Sequence, residues 1–145
     1  MNRSEIFLKM VESNSWEEYA KQHLHMAIIS RNVEPDGYIY IQGEKVLPTP
    51  ENTEKSIKKA QERAKERGSE AKIKAWKQLI ANGEGDDVAK VREICGYRDS
   101  HLVTAQQGVA QEEDSIRDTE EYIKDRKLAG EVYQKWLASQ TVMRR

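Results

Sequence analysis

The sequence predicts a mainly α fold: a helical domain with two long helices, short N-terminal helices and one small β-hairpin. Three observations carry this. Long charged stretches repeat apolar residues at helical spacing, from Ile57 to Leu79 and from Val109 to Leu137. Helix-start signals recur at Ser15, Thr49 and Asp86. A single stretch, Tyr38 to Ile41, alternates aromatic and β-branched residues as a strand does.

The elements follow in order. Ser4 to Glu12 carries Ile6, Phe7, Met10 and Val11 on one helical stripe. Ser13-Asn14-Ser15 breaks it. Ser15 with Glu18 forms a capping-box pattern and starts a second helix, expected to reach about Ser30. Trp16, Tyr19, Ala20, His23, Ala27 and Ile28 fall on its apolar face, which Leu24 and Met26 broaden. Pro35-Asp36-Gly37 is a turn signal. Tyr38 to Pro48 reads as a hairpin turning at Gln42-Gly43. Such a ribbon is marginal alone and needs a helix to lie on.

Thr49-Pro50-Glu51 combines a capping residue, proline at the first helical position and an acid in the first turn. The helix runs to about Ala81, either as one continuous helix or interrupted near Gly68; the sequence leaves both open. Its seam is Ile57, Ala60, Ala64, Ala71, Ala75 and Leu79, widened by Trp76 and Ile80. Gly83 stops it. A short helix follows from Asp86, another from about Ser100 with Gly108 as its end, then a long one from about Gln111 to Ser139. In that last helix Val109, Ile116, Ile123, Gly130 and Leu137 recur every seven residues. The second heptad core position is not apolar, so a free coiled coil is not expected. The chain divides as 1–48, 49–82 and 83–145, joined in one structural domain, 1–145.

Composition narrows the function. Only 37% of the 145 residues are hydrophobic and 34% are charged, against about 45–50% and 25% for ordinary domains. That leaves much surface for little core, which oligomerisation would cover. Net charge is −1, which does not favour a dedicated nucleic-acid binder. The charge is unevenly placed: 51–82 carries 9 basic and 5 acidic residues, and 111–125 carries 2 and 7. The two blocks suit antiparallel neighbours or head-to-tail contact between copies. Cys95 is the single cysteine, so no internal disulfide forms. With an N-terminus unlike a signal peptide, this predicts a cytoplasmic protein. No apolar run approaches the ~18 residues of a membrane span.

One segment has the outline of a DNA-reading helix-turn-helix, Asp86 to Gly108. Val88, Val91, Ile94 and Cys95 would face inward, Gly96 would turn, and Leu102 and Ala105 would anchor the second helix. Ser100, His101, Thr104, Gln106 and Gln107 would face base edges, and Arg92 and Arg98 would meet phosphates of double-stranded DNA. Two features count against it. Arg92 stands where such motifs carry a small residue, and 83–110 is acidic, with 3 basic and 5 acidic residues. A packed corner explains the segment more simply.

The other constellations are weaker still. Tyr38 and Tyr40 near Lys55, Lys58, Lys59, Arg63, Lys65 and Arg67 could stack single-stranded nucleic acid, but packing of the aromatic face on the N-terminal helices accounts for them. His23 and His25, two apart, point to different helix faces and do not share a metal ion. Cys95 with His101 is the one nucleophile–base pair close in sequence, and Cys95 lies on an apolar face. Asn82 to Gly85 lacks the lysine of a phosphate loop. No catalytic, cofactor-binding or metal site is expected, and the chain is not expected to be an enzyme. The favoured expectation is a small noncatalytic regulatory or adaptor protein that works through helical protein–protein surfaces, with a protein partner or a second copy, and with no membrane. Trp76, Tyr133 and Trp136 are its candidate interface anchors; the plain reading of each is a core aromatic. Double-stranded DNA through 86–108 is the alternative.

Overall fold

The computed structural model describes residues 15–96 and 101–143. The helix expected over Ser4 to Glu12 lies outside the described residues. The fold is mainly α: α1 (Trp16–His23), α2 (His25–Ile29), β1 (Ile39–Ile41), β2 (Glu44–Val46), α3 (Pro50–Arg67), α4 (Ser69–Ala81), α5 (Val88–Ile94) and α6 (Ala105–Met143). Among the described residues no helix is long and apolar enough to cross a membrane.

Local chemistry sets most boundaries. Ser15 Oγ accepts from the Glu18 amide at 3.3 Å and starts α1. The helix then breaks at Leu24, earlier than the sequence predicts. Leu24 leaves helical geometry (φ −121°, ψ 24°) and is itself buried. The reoriented turn leaves Met26, expected on the apolar face, 72% exposed.

The hairpin forms where expected, with Ile39 opposite Val46, Tyr40 opposite Lys45 and Ile41 opposite Glu44. Gln42 and Gly43 both take positive φ, 52° and 79°, the geometry of a tight turn whose twist matches its strands.

Thr49 Oγ1 caps α3 through the Asn52 amide at 3.2 Å. Gly68 then enters the left-handed region (φ 63°, ψ 38°), where glycine carries no Cβ penalty. Its amide closes α3 on the Ala64 carbonyl, and its carbonyl receives the Lys72 amide of α4. The 51–82 stretch is therefore two helices of 18 and 13 residues. The seam does not continue in phase across the break: Ser69 and Trp76 are buried, whereas Ala71 is exposed.

The expected short helix over 100–108 does not stand apart from the long one. One helix of 39 residues starts at Ala105. Gly108 is inside it, because a Cβ there would sit 2.6 Å from the Trp76 ring. Glycine supplies room for the indole rather than a stop.

Two compact units result, Met1–Lys59 with Tyr122–Arg145, and Ala60–Glu121. The first unit is built on Trp16, Leu24, Val33, Ile39, Ala129 and Tyr133. Trp16 meets Tyr133 edge-on, with centroids 5.0 Å apart at 87°, and donates its Nε1 proton to the Gly37 carbonyl at 3.1 Å. The second is built on Trp76, Val91, Cys95, Leu102 and Ala105. There the Trp76 Nε1 proton goes to the Val91 carbonyl at 3.0 Å.

Candidate interaction surface

The corner between α5 and α6 uses its polar groups on itself. Gln107 Oε1 accepts from the amides of Val103 and Thr104 at 3.0 and 3.2 Å, and Thr104 Oγ1 accepts from the Gln107 amide at 3.2 Å. This is a reciprocal capping box that satisfies otherwise orphaned donors at the start of α6. Arg92 Nε donates to the Leu102 carbonyl at 3.1 Å, across the corner. His101 Nε2 lies 2.7 Å from Gln111 Oε1. Gln106 is exposed on the first turn of α6. Arg98 and Ser100 lie outside the described residues. The corner thus brings Arg92, His101, Thr104 and Gln107 into its own hydrogen bonding and leaves Gln106 facing solvent.

The three candidate anchors separate by burial. Trp76 is fully buried in the second unit and Tyr133 is buried in the first. Both rings are already spent on the chain's own packing. Trp136 packs beside Tyr133 at 5.8 Å and keeps part of its surface open.

The charge blocks are tied together at Glu112. Arg67 Nε and Nη2 donate to Glu112 Oε1 and Oε2 at 2.8 and 2.7 Å. Ser69 Oγ donates to Oε1 at 3.2 Å, and Lys72 Nζ lies 3.9 Å from the same oxygen. Burial alone would push the Glu112 carboxyl up; the Arg67 bonds and charge, with Gln111 and Ser69, outweigh it and hold the group below the ordinary carboxylate range. Its donors come from both sides of the Gly68 break. A second ionisable residue is buried in the same helix: Arg126 donates Nη1 to the Tyr40 carbonyl at 3.1 Å and stacks 4.4 Å over Tyr122.

Sequence reasoning missed Glu112 and Arg126. The signal was present. With Val109, Ile116, Ile123 and Gly130 as one heptad position, Glu112, Thr119, Arg126 and Tyr133 occupy the other. That position looked too polar to be core, yet it holds the more deeply buried side chains.

Two surface features remain after the cores are assembled. Met26 and Ile29 are three residues apart on α2 and are 72% and 59% exposed, more than any other large hydrophobic among the described residues. A groove of about 460 Å³ lies in the second unit, where Ala64, Gly68 and Ala71 face Ser115, Ile116 and Thr119. Lys65, Glu70 and Glu120 stand around it. Among the described residues no group of three His, Cys, Asp or Glu side chains is arranged to hold a metal ion. Cys95 is buried, with Sγ 3.3 Å from the Arg92 carbonyl. Comparison with protein-family models, curated proteins and solved structures finds no match to this chain.

Proposed function

We propose that this chain is a small noncatalytic regulatory or adaptor protein of the cytoplasm, acting through helical protein–protein surfaces and associating with itself. The observation that carries the reading is the exposed pair Met26 and Ile29 on α2. Apolar side chains placed together in water, in a chain so poor in apolar residues, support a contact made with another protein. Trp136, half-buried at the margin of the first core, supports it as well. The cytoplasmic assignment rests on the single cysteine, Cys95.

Static light scattering over a concentration series tests the reading. Mass should rise with concentration. A mass of one chain throughout would remove self-association and leave a foreign protein as the partner.

Recognition of double-stranded DNA through 86–108 is the second reading, and exposed Gln106 at the start of α6 is what favours it. It stands second because the cap and cross-corner bonds already engage Arg92, His101, Thr104 and Gln107. Enrichment of a sequence motif from a random duplex library at moderate salt would reverse that order; no retention at low salt would discard DNA.

A further inference from the structure

We propose that the Met26–Ile29 face of α2 docks into the groove beside Gly68 of a second copy of this chain, so that copies join head to tail. The proposal rests on the self-association reading above and specifies its interface.

The two faces are complementary in shape and polarity. One is a projection: Met26 and Ile29 share a side of α2 and are largely exposed. The other is a depression of about 460 Å³, within the ~300–1,000 Å³ range of clefts that accept apolar groups. Its small walls, Ala64 and Ala71, and its half-buried Ile116 suit aliphatic and thioether side chains. Methionine adapts its shape to such a cleft.

They are also complementary in charge. Leu24 to Val33 contains no carboxylate of its own and carries Arg31 and His25; the Asp125 carboxylate that meets its end is engaged by Ser30 Oγ and Asn32 Nδ2 at 2.8 and 2.7 Å. The groove lining itself carries one carboxylate more than it has cations, and its acidic flank is the α6 side. Lys65, Glu70 and Glu120 all line the rim. The adjoining surface of α6 exposes Glu113, Asp114, Asp118 and Glu121, with Arg117 already paired to Asp114 at 2.9 Å.

Arg31 supplies an independent reason. It ends α2 at φ 66°, in the left-handed region where helices normally place glycine or asparagine. The amides of Asn32 and Val33 return to the Ala27 carbonyl around it. An arginine held there is conformationally disfavoured, and it sets an exposed cation beside the two exposed apolar side chains. Backbone cost accepted at one exposed residue points to a role for its side chain outside the monomer.

A head-to-tail contact uses two different surfaces, and each can be broken separately. The test is sedimentation velocity on the full chain and three variants. Met26→Asp/Ile29→Asp removes the projection; both residues are exposed, so the fold is retained. Ile116→Arg blocks the groove. Glu70→Lys/Glu120→Lys, at exposed positions, blocks it again without touching the core. Each variant alone should sediment as a single chain where the parent assembles. An equimolar mixture of a projection variant and a groove variant should give a dimer and nothing larger, because one intact pair of faces remains. Arg31→Gly should raise the denaturation midpoint while weakening assembly at least several-fold.

A parent chain that stays monomeric overturns both the self-association reading and this interface. A parent that assembles while the projection or groove variants assemble equally overturns the interface alone. So does a mixture that remains monomeric, since its one intact projection and one intact groove would then have failed to join.

Discussion

Arg67 and Glu112 form a two-pronged ion pair whose partners live in different media: the Glu112 side chain is 1% exposed and that of Arg67 is 42% exposed. Removing either partner is therefore not symmetric. Arg67→Met leaves a carboxylate in the interior with Gln111, Ser69 and the more distant Lys72, and should cost about 2–4 kcal/mol. Glu112→Gln keeps the shape, and Arg67 can turn to water, so its cost should be about 1 kcal/mol. Urea unfolding of the two variants checks the order, and equal costs would show that the pair is solvated alike on both sides.

The same carboxylate predicts a pH dependence. Its folded-state pKa lies below the ordinary value of 4.5, since the Arg67, Gln111 and Ser69 interactions outweigh the upward push of burial. A depressed carboxylate stabilises the fold above its unfolded pKa, and that stabilisation is lost as pH falls through the folded pKa. The stability gap between the parent and Glu112→Gln should be constant above pH 4.5 and shrink below it. Denaturation midpoints on both sides of that value measure it.

Two glycines to alanine should differ in cause. At Gly108 a Cβ meets the Trp76 ring at 2.6 Å, and overpacking should cost about 1–3 kcal/mol despite the better helix propensity of alanine. At Gly68 a Cβ meets nothing within 4 Å, so only the left-handed backbone resists, at about 1–2 kcal/mol. Near-ultraviolet dichroism separates them: Gly108→Ala should disturb the Trp76 band and Gly68→Ala should not.

Gln107→Ala opens the cap at the start of α6, where its side chain accepts from Val103 and Thr104. The loss should be about 1 kcal/mol. If DNA is bound through this corner instead, Gln106→Ala should weaken binding without changing the unfolding midpoint.

In the hairpin, Gln42 sits at φ 52° ahead of Gly43. Asparagine is the preferred residue at this position, so Gln42→Asn should raise the midpoint by a few tenths of a kcal/mol to about 1. An unchanged or lower midpoint would mean that the Gln42 side chain contributes contacts of its own.

Most elements were legible because their causes are local. Ser15, Thr49 and the Gln42-Gly43 pair act on neighbours within a few residues, and the structure places their helices and turn where those residues imply. What was not legible depends on residues far apart in sequence. Gly108 looked like a stop until the Trp76 ring occupied the space above it. Ala71 looked like seam until Gly68 rotated the phase of α4. Glu112 looked solvated because its charge partner lies 45 residues away. The candidate surface was the least legible part: the exposure of Met26 follows from the break at Leu24, where the side-chain pattern would have continued a helix.

Each packed core contains its own indole: Trp16 in one, Trp76 in the other. The chain thus carries two built-in optical probes. Replacing Trp16 and Trp136 by phenylalanine leaves emission from Ala60–Glu121 alone, and replacing Trp76 leaves emission from the remainder. Melting followed at each wavelength maximum would reveal whether the two cores let go together or one after the other.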